Sequence, residues 1–168
     1  MNQEVKGSVA EILNVCADFN EKIFPEDNTG RMLSDEVIAD FCRYFVFLTL
    51  ADGVLTGEEV GFINNCFDTD YTIDDMQEFA QEERTDDASS MMSVPLSLNY
   101  FIRIDNLFYT EQEIVTNYTE RLIELYKKAG MEFICCDGDL SMEEMNIYNQ
   151  FIAMLEDYAK LNLEKNED

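Results

Sequence analysis

Histidine is absent from this 168-residue chain. Its absence excludes Ser-His and Cys-His catalysis, His-ligated zinc and imidazole pH switching together. Basic residues are scarce: Lys and Arg total 11 against 36 Asp and Glu, a formal net charge of −25. Direct binding to nucleic acid or to an anionic membrane surface needs a basic footprint that such a composition lacks. The cysteines, Cys16, Cys42, Cys66, Cys135 and Cys136, are odd in number and contain no Cys-x-x-Cys spacing. Neither a disulfide framework nor a structural zinc site is expected; buried, unreactive thiols in a reducing cytoplasm are. Glu4 and Glu11 interrupt any apolar stretch near the N-terminus, so no secretory signal is read there. The longest apolar run, about residues 45–51, is far too short to span a bilayer.

What remains is enough for a packed core. Hydrophobic residues make up 46% and aromatics 12%, far more than a disordered acidic tail would carry. Proline occurs only at Pro25 and Pro95, and no segment alternates Val, Ile or Thr as a strand would. The spacing predicts about seven helices in an all-α, compact, non-coiled bundle forming one domain. The first covers about residues 2–24, with Val5, Val9, Ile12, Cys16, Phe19 and Ile23 on one face. A second opens at Ser34 and becomes apolar nearly all round over residues 44–51, which predicts a central position. Others start at Thr56, at Thr72, after Pro95, at Thr110 (using Ile114 and Tyr118) and at Ser141. A polar linker is expected at about 84–94. Residues 68–87 carry nine acids and one base, Arg84, a solvated face or an acidic surface held for a basic partner.

One local pattern occurs twice. Residues 52–59 read Asp-Gly-Val-Leu-Thr-Gly-Glu-Glu and residues 137–144 read Asp-Gly-Asp-Leu-Ser-Met-Glu-Glu. Each follows an apolar helix end, which suggests a pseudo-repeat of about 34–83 and 110–163. Gly53 and Gly138 suit the positive φ that ends a helix. Thr56 with Glu59, and Ser141 with Glu144, have the spacing of a capping box. Leu55 with Val60, and Leu140 with Met145, have that of a hydrophobic staple. Structural capping alone accounts for most of the motif.

The remaining acids point to hard-cation chemistry. The segment matches the second half of an EF-hand loop, but the first-half ligand positions fall on Leu48, Leu50, Phe133 and Cys135, so a true EF-hand is rejected. Each turn still offers an Asp, a bidentate Glu and a carbonyl, roughly four oxygens of the six to eight that calcium takes. The candidate ligands for Ca²⁺ or Mg²⁺ are Asp52, Glu58 and Glu59 in the first turn, and Asp137, Asp139, Glu143 and Glu144 in the second. Glu59 and Glu144 are contested, because their carboxylates also serve the caps.

The apolar helix end, the sequence Ala-Asp-Gly-x-Leu-Thr-x-Glu-Glu and the following amphipathic helix resemble the TerB-like tellurite-resistance domain, over about residues 34–67 and 110–160. The resemblance implies an all-helical bundle with an acidic turn in each half. It also implies a cytoplasmic, bacterial or phage-borne stress module that binds divalent metal and assembles with other proteins. By position, Asp52, Glu58 and Glu59 match the first turn, and Asp137, Asp139, Glu143 and Glu144 the second. Val54 stands where the second copy has Asp139, and the first helix and the acidic 68–87 segment lie outside the match.

The expected function is therefore a non-enzymatic, cation-binding interaction module whose protein partner has a basic surface. The alternative is an acidic inhibitor or DNA mimic that occupies the basic groove of a nucleic-acid-binding protein, steered by opposite potentials. No Gly-rich phosphate loop, nucleophile elbow or Walker pattern supports an enzyme, and no direct membrane insertion is expected.

Overall fold

The structure, a computed structural model, describes residues 3–23, 30, 32–49, 55–85, 93–136, 138 and 141–164, and leaves aside the side chains of residues 3 and 80–85. The described residues form seven helices and no strand: α1 (Gln3–Ile23), α2 (Leu33–Thr49), α3 (Gly57–Phe67), α4 (Ile73–Thr85), α5 (Leu96–Gln112), α6 (Tyr118–Phe133) and α7 (Met142–Asn162). All six residues of the predicted α1 stripe are buried. So are Ile152, Leu155 and Ala159 on α7, while Met145 and Tyr148 are half-buried against the same core.

The nearly all-apolar C-terminal half of α2 has the predicted consequence. This helix touches each of the other six, and Val37, Phe41, Phe45 and Leu48 are fully buried. Within residues 44–49 only Phe47 is less than buried, so this half of the helix shows no polar stripe. Aromatic rings organise the contacts around it. Phe41 stacks on Tyr126 at 3.9 Å between centroids, and Phe45 stacks on Phe133 at 4.6 Å. Advancing along α2 thus advances along α6, and the two helices run in the same direction. Phe62 of α3 meets both Phe45 and Phe133 edge-on at 5.8 Å. Tyr44 stacks on Phe151 of α7 at 4.4 Å.

One boundary differs from the sequence reading. The spacing predicts the sixth helix from Thr110, with Ile114 in the core; α5 instead continues through Gln112, and α6 begins at Tyr118. Glu113 takes a left-handed φ of 56° and its amide donates to the carbonyls of Phe108 and Tyr109, which terminates α5. Ile114 lies in the connection and is 47% exposed. The physical reason is a remote cap. The amides of Tyr118 and Thr119 donate to Asp105 on α5 at 3.0 and 2.8 Å, and the Thr116 hydroxyl donates to the same carboxylate. Asn117, the local N-cap, makes no side-chain bond, so the start of α6 carries no local signal. At its other end α6 stops at Phe133, ahead of the expected Asp137-Gly138.

Candidate cation turns and the helix caps around them

Both capping boxes form. Thr56 precedes α3 in extended backbone, and the Glu59 amide donates to its hydroxyl at 3.2 Å. The Glu59 carboxylate in turn accepts from the Thr56 amide at 2.7 Å and from the Thr56 hydroxyl at 2.9 Å. Ser141 precedes α7 in the same way: the Glu144 amide donates to its hydroxyl at 3.0 Å, and the Ser141 amide donates to Glu144 at 3.3 Å. Two helix-end amides are satisfied reciprocally at each site, which leaves Glu59 and Glu144 only 3% and 4% exposed. Gly138 has the predicted positive φ, 84°. Leu55 is half-buried against the core and Val60 is buried, as the staple requires.

The shared direction of α2 and α6 places their C-terminal ends toward the same end of the bundle, where Phe62 packs edge-on against the stacked Phe45 and Phe133. The α3 cap and the α7 cap each follow one of these ends. Glu58 and Glu143 are exposed beside them. Asp52, Asp137 and Asp139, with Gly53 and Leu140, lie outside the described residues. Among the described residues no three acidic or thiol side chains are gathered as a cation cage. Carboxylate is the right donor chemistry for Ca²⁺ or Mg²⁺. The fit is contested at Glu59 and Glu144, where the carboxylate already holds the N-cap amide. A cation at either turn has to share or displace a cap worth about 1 kcal/mol.

The structure adds polar residues that pattern reading missed. Asp40 on α2 is 5% exposed; its carboxylate accepts from the Ser97 amide at the start of α5 at 2.7 Å and pairs with Arg43 at 3.0 Å. Burial pushes its pKa above the ordinary 3.8, against the lowering effect of those bonds. Asn20 on α1 accepts from the Leu33 amide at 2.7 Å. Helices α2, α5 and α6 thus all receive a cap from a preceding helix. Asn64 on α3 holds the α3–α4 connection, donating to the Tyr71 carbonyl and accepting from the Tyr71 amide and the Thr69 hydroxyl. A signal for Asp40 exists in the sequence: it sits on the stripe Val37, Asp40, Phe41, Tyr44, where a polar residue must find a buried partner.

Of the thiols, Cys16, Cys42 and Cys66 are buried as expected, and burial pushes them up to about 12, about 11 and about 12. Cys135 departs from that expectation and is exposed; Cys136 is half-buried. Among the described residues no helix is long and apolar enough to cross a membrane.

The fold and its ends define the class: an acidic, all-helical bundle whose two capped turns follow parallel helices. No family model, curated protein or solved structure matches the chain.

Proposed function

We propose that this protein is a non-enzymatic, cytoplasmic, TerB-like interaction module that holds a divalent cation, Ca²⁺ or Mg²⁺, at its duplicated acidic turns. The observation that supports this reading is that the same capping box forms at Thr56 with Glu59 and at Ser141 with Glu144, each after a helix that ends toward the Phe45–Phe133 contact. A hard cation offsets the mutual repulsion of carboxylates, and carboxylate oxygens are the donors it prefers. The proposed ligands are Asp52, Glu58 and Glu59 with Asp137, Asp139, Glu143 and Glu144. Because Glu59 and Glu144 also cap helices, the affinity is modest, and the second turn, with its extra Asp139, binds more tightly.

A cation that prefers the folded chain raises its stability by mass action. Thermal unfolding at near-physiological salt, with Ca²⁺ or Mg²⁺ against chelator, tests this. The midpoint rises with either ion in the native protein. The rise disappears when Asp52→Asn and Asp137→Asn are combined. An equal rise in the double variant would remove these turns from the assignment.

A further inference from the structure

A groove of about 350 Å³ opens between α2, the α3–α4 connection and α4. Its floor is apolar, formed by Ile38, Ala39, Cys42, Met76 and Phe79, with Tyr71 on one wall. Its rim is acidic. Asp35 and Asp75 line it, and Asp68, Asp70, Asp74 and Glu78 are exposed on the same connection and helix. No Lys or Arg occurs from residue 55 to residue 79, and the one base on α2, Arg43, is tied to Asp40. The Tyr71 phenol feels this field: burial raises its pKa, and Cys42, Asp70 and Asp75 push it the same way. Two other cavities are lined by both signs of charge. One has Lys127 and Lys128 beside Glu4 and Glu132, the other Lys22 and Arg103 beside Glu111.

The wall is built rather than incidental. Asn64 fixes the backbone at Tyr71 through bonds of 2.8 and 2.9 Å. Asp75 accepts from the Thr72 amide and hydroxyl at 2.7 Å, capping α4 where it borders the groove. An apolar trough held open between two helices and ringed by carboxylates matches one kind of occupant. That occupant is a helix with an apolar stripe for the floor and Lys or Arg on its flanks for the rim.

We propose that the α2–α4 groove docks a basic amphipathic helix of a protein partner. This deepens the interaction half of the function proposed above and does not depend on a cation at the turns. Apolar burial on the floor supplies affinity; the rim supplies orientation and rejects acidic helices.

The probe is a fluorescent synthetic helix of about five turns made of Leu and Lys in amphipathic register. Two controls accompany it: a Leu/Glu peptide of the same register, and a Lys/Ser peptide with no apolar stripe. Anisotropy titrations are run in chelator, so the outcome is separate from that of the cation assay. The Leu/Lys helix binds saturably, and more weakly at higher salt, while both controls bind at least about tenfold less well. Ala39→Trp fills the floor, and Asp35→Lys places a base at an exposed rim position that leaves the core untouched. Each variant, once circular dichroism shows it folded, weakens the Leu/Lys helix at least about tenfold. Wild-type affinity in the folded Asp35→Lys or Ala39→Trp protein overturns the groove. So does equal binding of the Lys/Ser peptide, which would reduce the interaction to charge alone. Failure of the Leu/Lys helix to bind the native protein overturns it as well.

Discussion

Gly130 shows how one atom can decide a helix contact. It lies inside α6, where alanine would ordinarily gain about 1 kcal/mol of helix propensity. A Cβ there would clash with the hydroxyl of Tyr44 and come within 2.8 Å of its ring. Tyr44 is 2% exposed and stacked on Phe151, so it has nowhere to move. Gly130→Ala should therefore destabilise by about 1–3 kcal/mol, measured by urea unfolding. In a Tyr44→Phe background the cost should shrink without vanishing, because the ring contacts remain. An unchanged cost would place the strain elsewhere. The Tyr44 and Tyr126 hydroxyls are buried without a hydrogen-bond partner among the described residues, and Tyr126 lies toward Ser97 without reaching hydrogen-bond geometry.

Asp40 is the other residue whose chemistry can be read out. Asp40→Ala should cost about 1–3 kcal/mol, because the Ser97 amide loses its acceptor in the interior. Asp40→Asn keeps an acceptor and should cost less. The pH dependence separates charge from hydrogen bonding. The folded pKa is raised above 3.8, so the folded state binds the proton more tightly than the unfolded one. The carboxylate's contribution to stability therefore falls as pH rises from the unfolded value through the folded value, and levels off above it. Asp40→Asn removes that slope, and its stability relative to the native protein should improve as pH rises from about 4.5 to 7.5. A relative decline would mean that Arg43 and Ser97 outweigh burial.

At the scale of elements, starts were legible where the cap is local. Thr56, Thr72 and Ser141 each announce a helix because the hydroxyl and the acid three residues on belong to the same short segment. The start of α6 was not legible, because Asp105 reaches it from α5. Burial of the α1 stripe follows from spacing alone, but which helix it would face does not. Pairing of α2 with α6 depends on ring shapes that no periodicity encodes. The candidate site divides in the same way. Its caps are sequence-local and form as expected; the common end of the two parallel helices is a tertiary fact. Thr56→Ala and Ser141→Ala should each cost about 1 kcal/mol in urea unfolding. Glu59→Gln and Glu144→Gln should cost less, since an amide oxygen still accepts from the N-cap amide. Losses well under half of that for the alanine variants would show that the boxes are dispensable.

Across the described residues, three bases tie helices together. Lys128 pairs with Glu4 and Arg121 with Glu11, joining α6 to α1, and Lys127 bridges Glu124 to Glu156 on α7, each at 2.7 Å. These hydrogen bonds raise the Lys127 pKa, though exposed pairs of this kind each stabilise by only about 0–1 kcal/mol. The opposite pattern holds around the α2–α4 groove, where acids stand on the rim. A molecule of net charge −25 repels itself, and a bound cation relieves that strain most where carboxylates converge. The direct measurement is terbium luminescence sensitised by the protein's tyrosines, titrated at near-physiological salt and competed with Ca²⁺. A cation site at these turns gives saturable emission that Ca²⁺ displaces and that Asp52→Asn with Asp137→Asn abolishes. Emission that is unsaturable, or undiminished in that double variant, would contradict it.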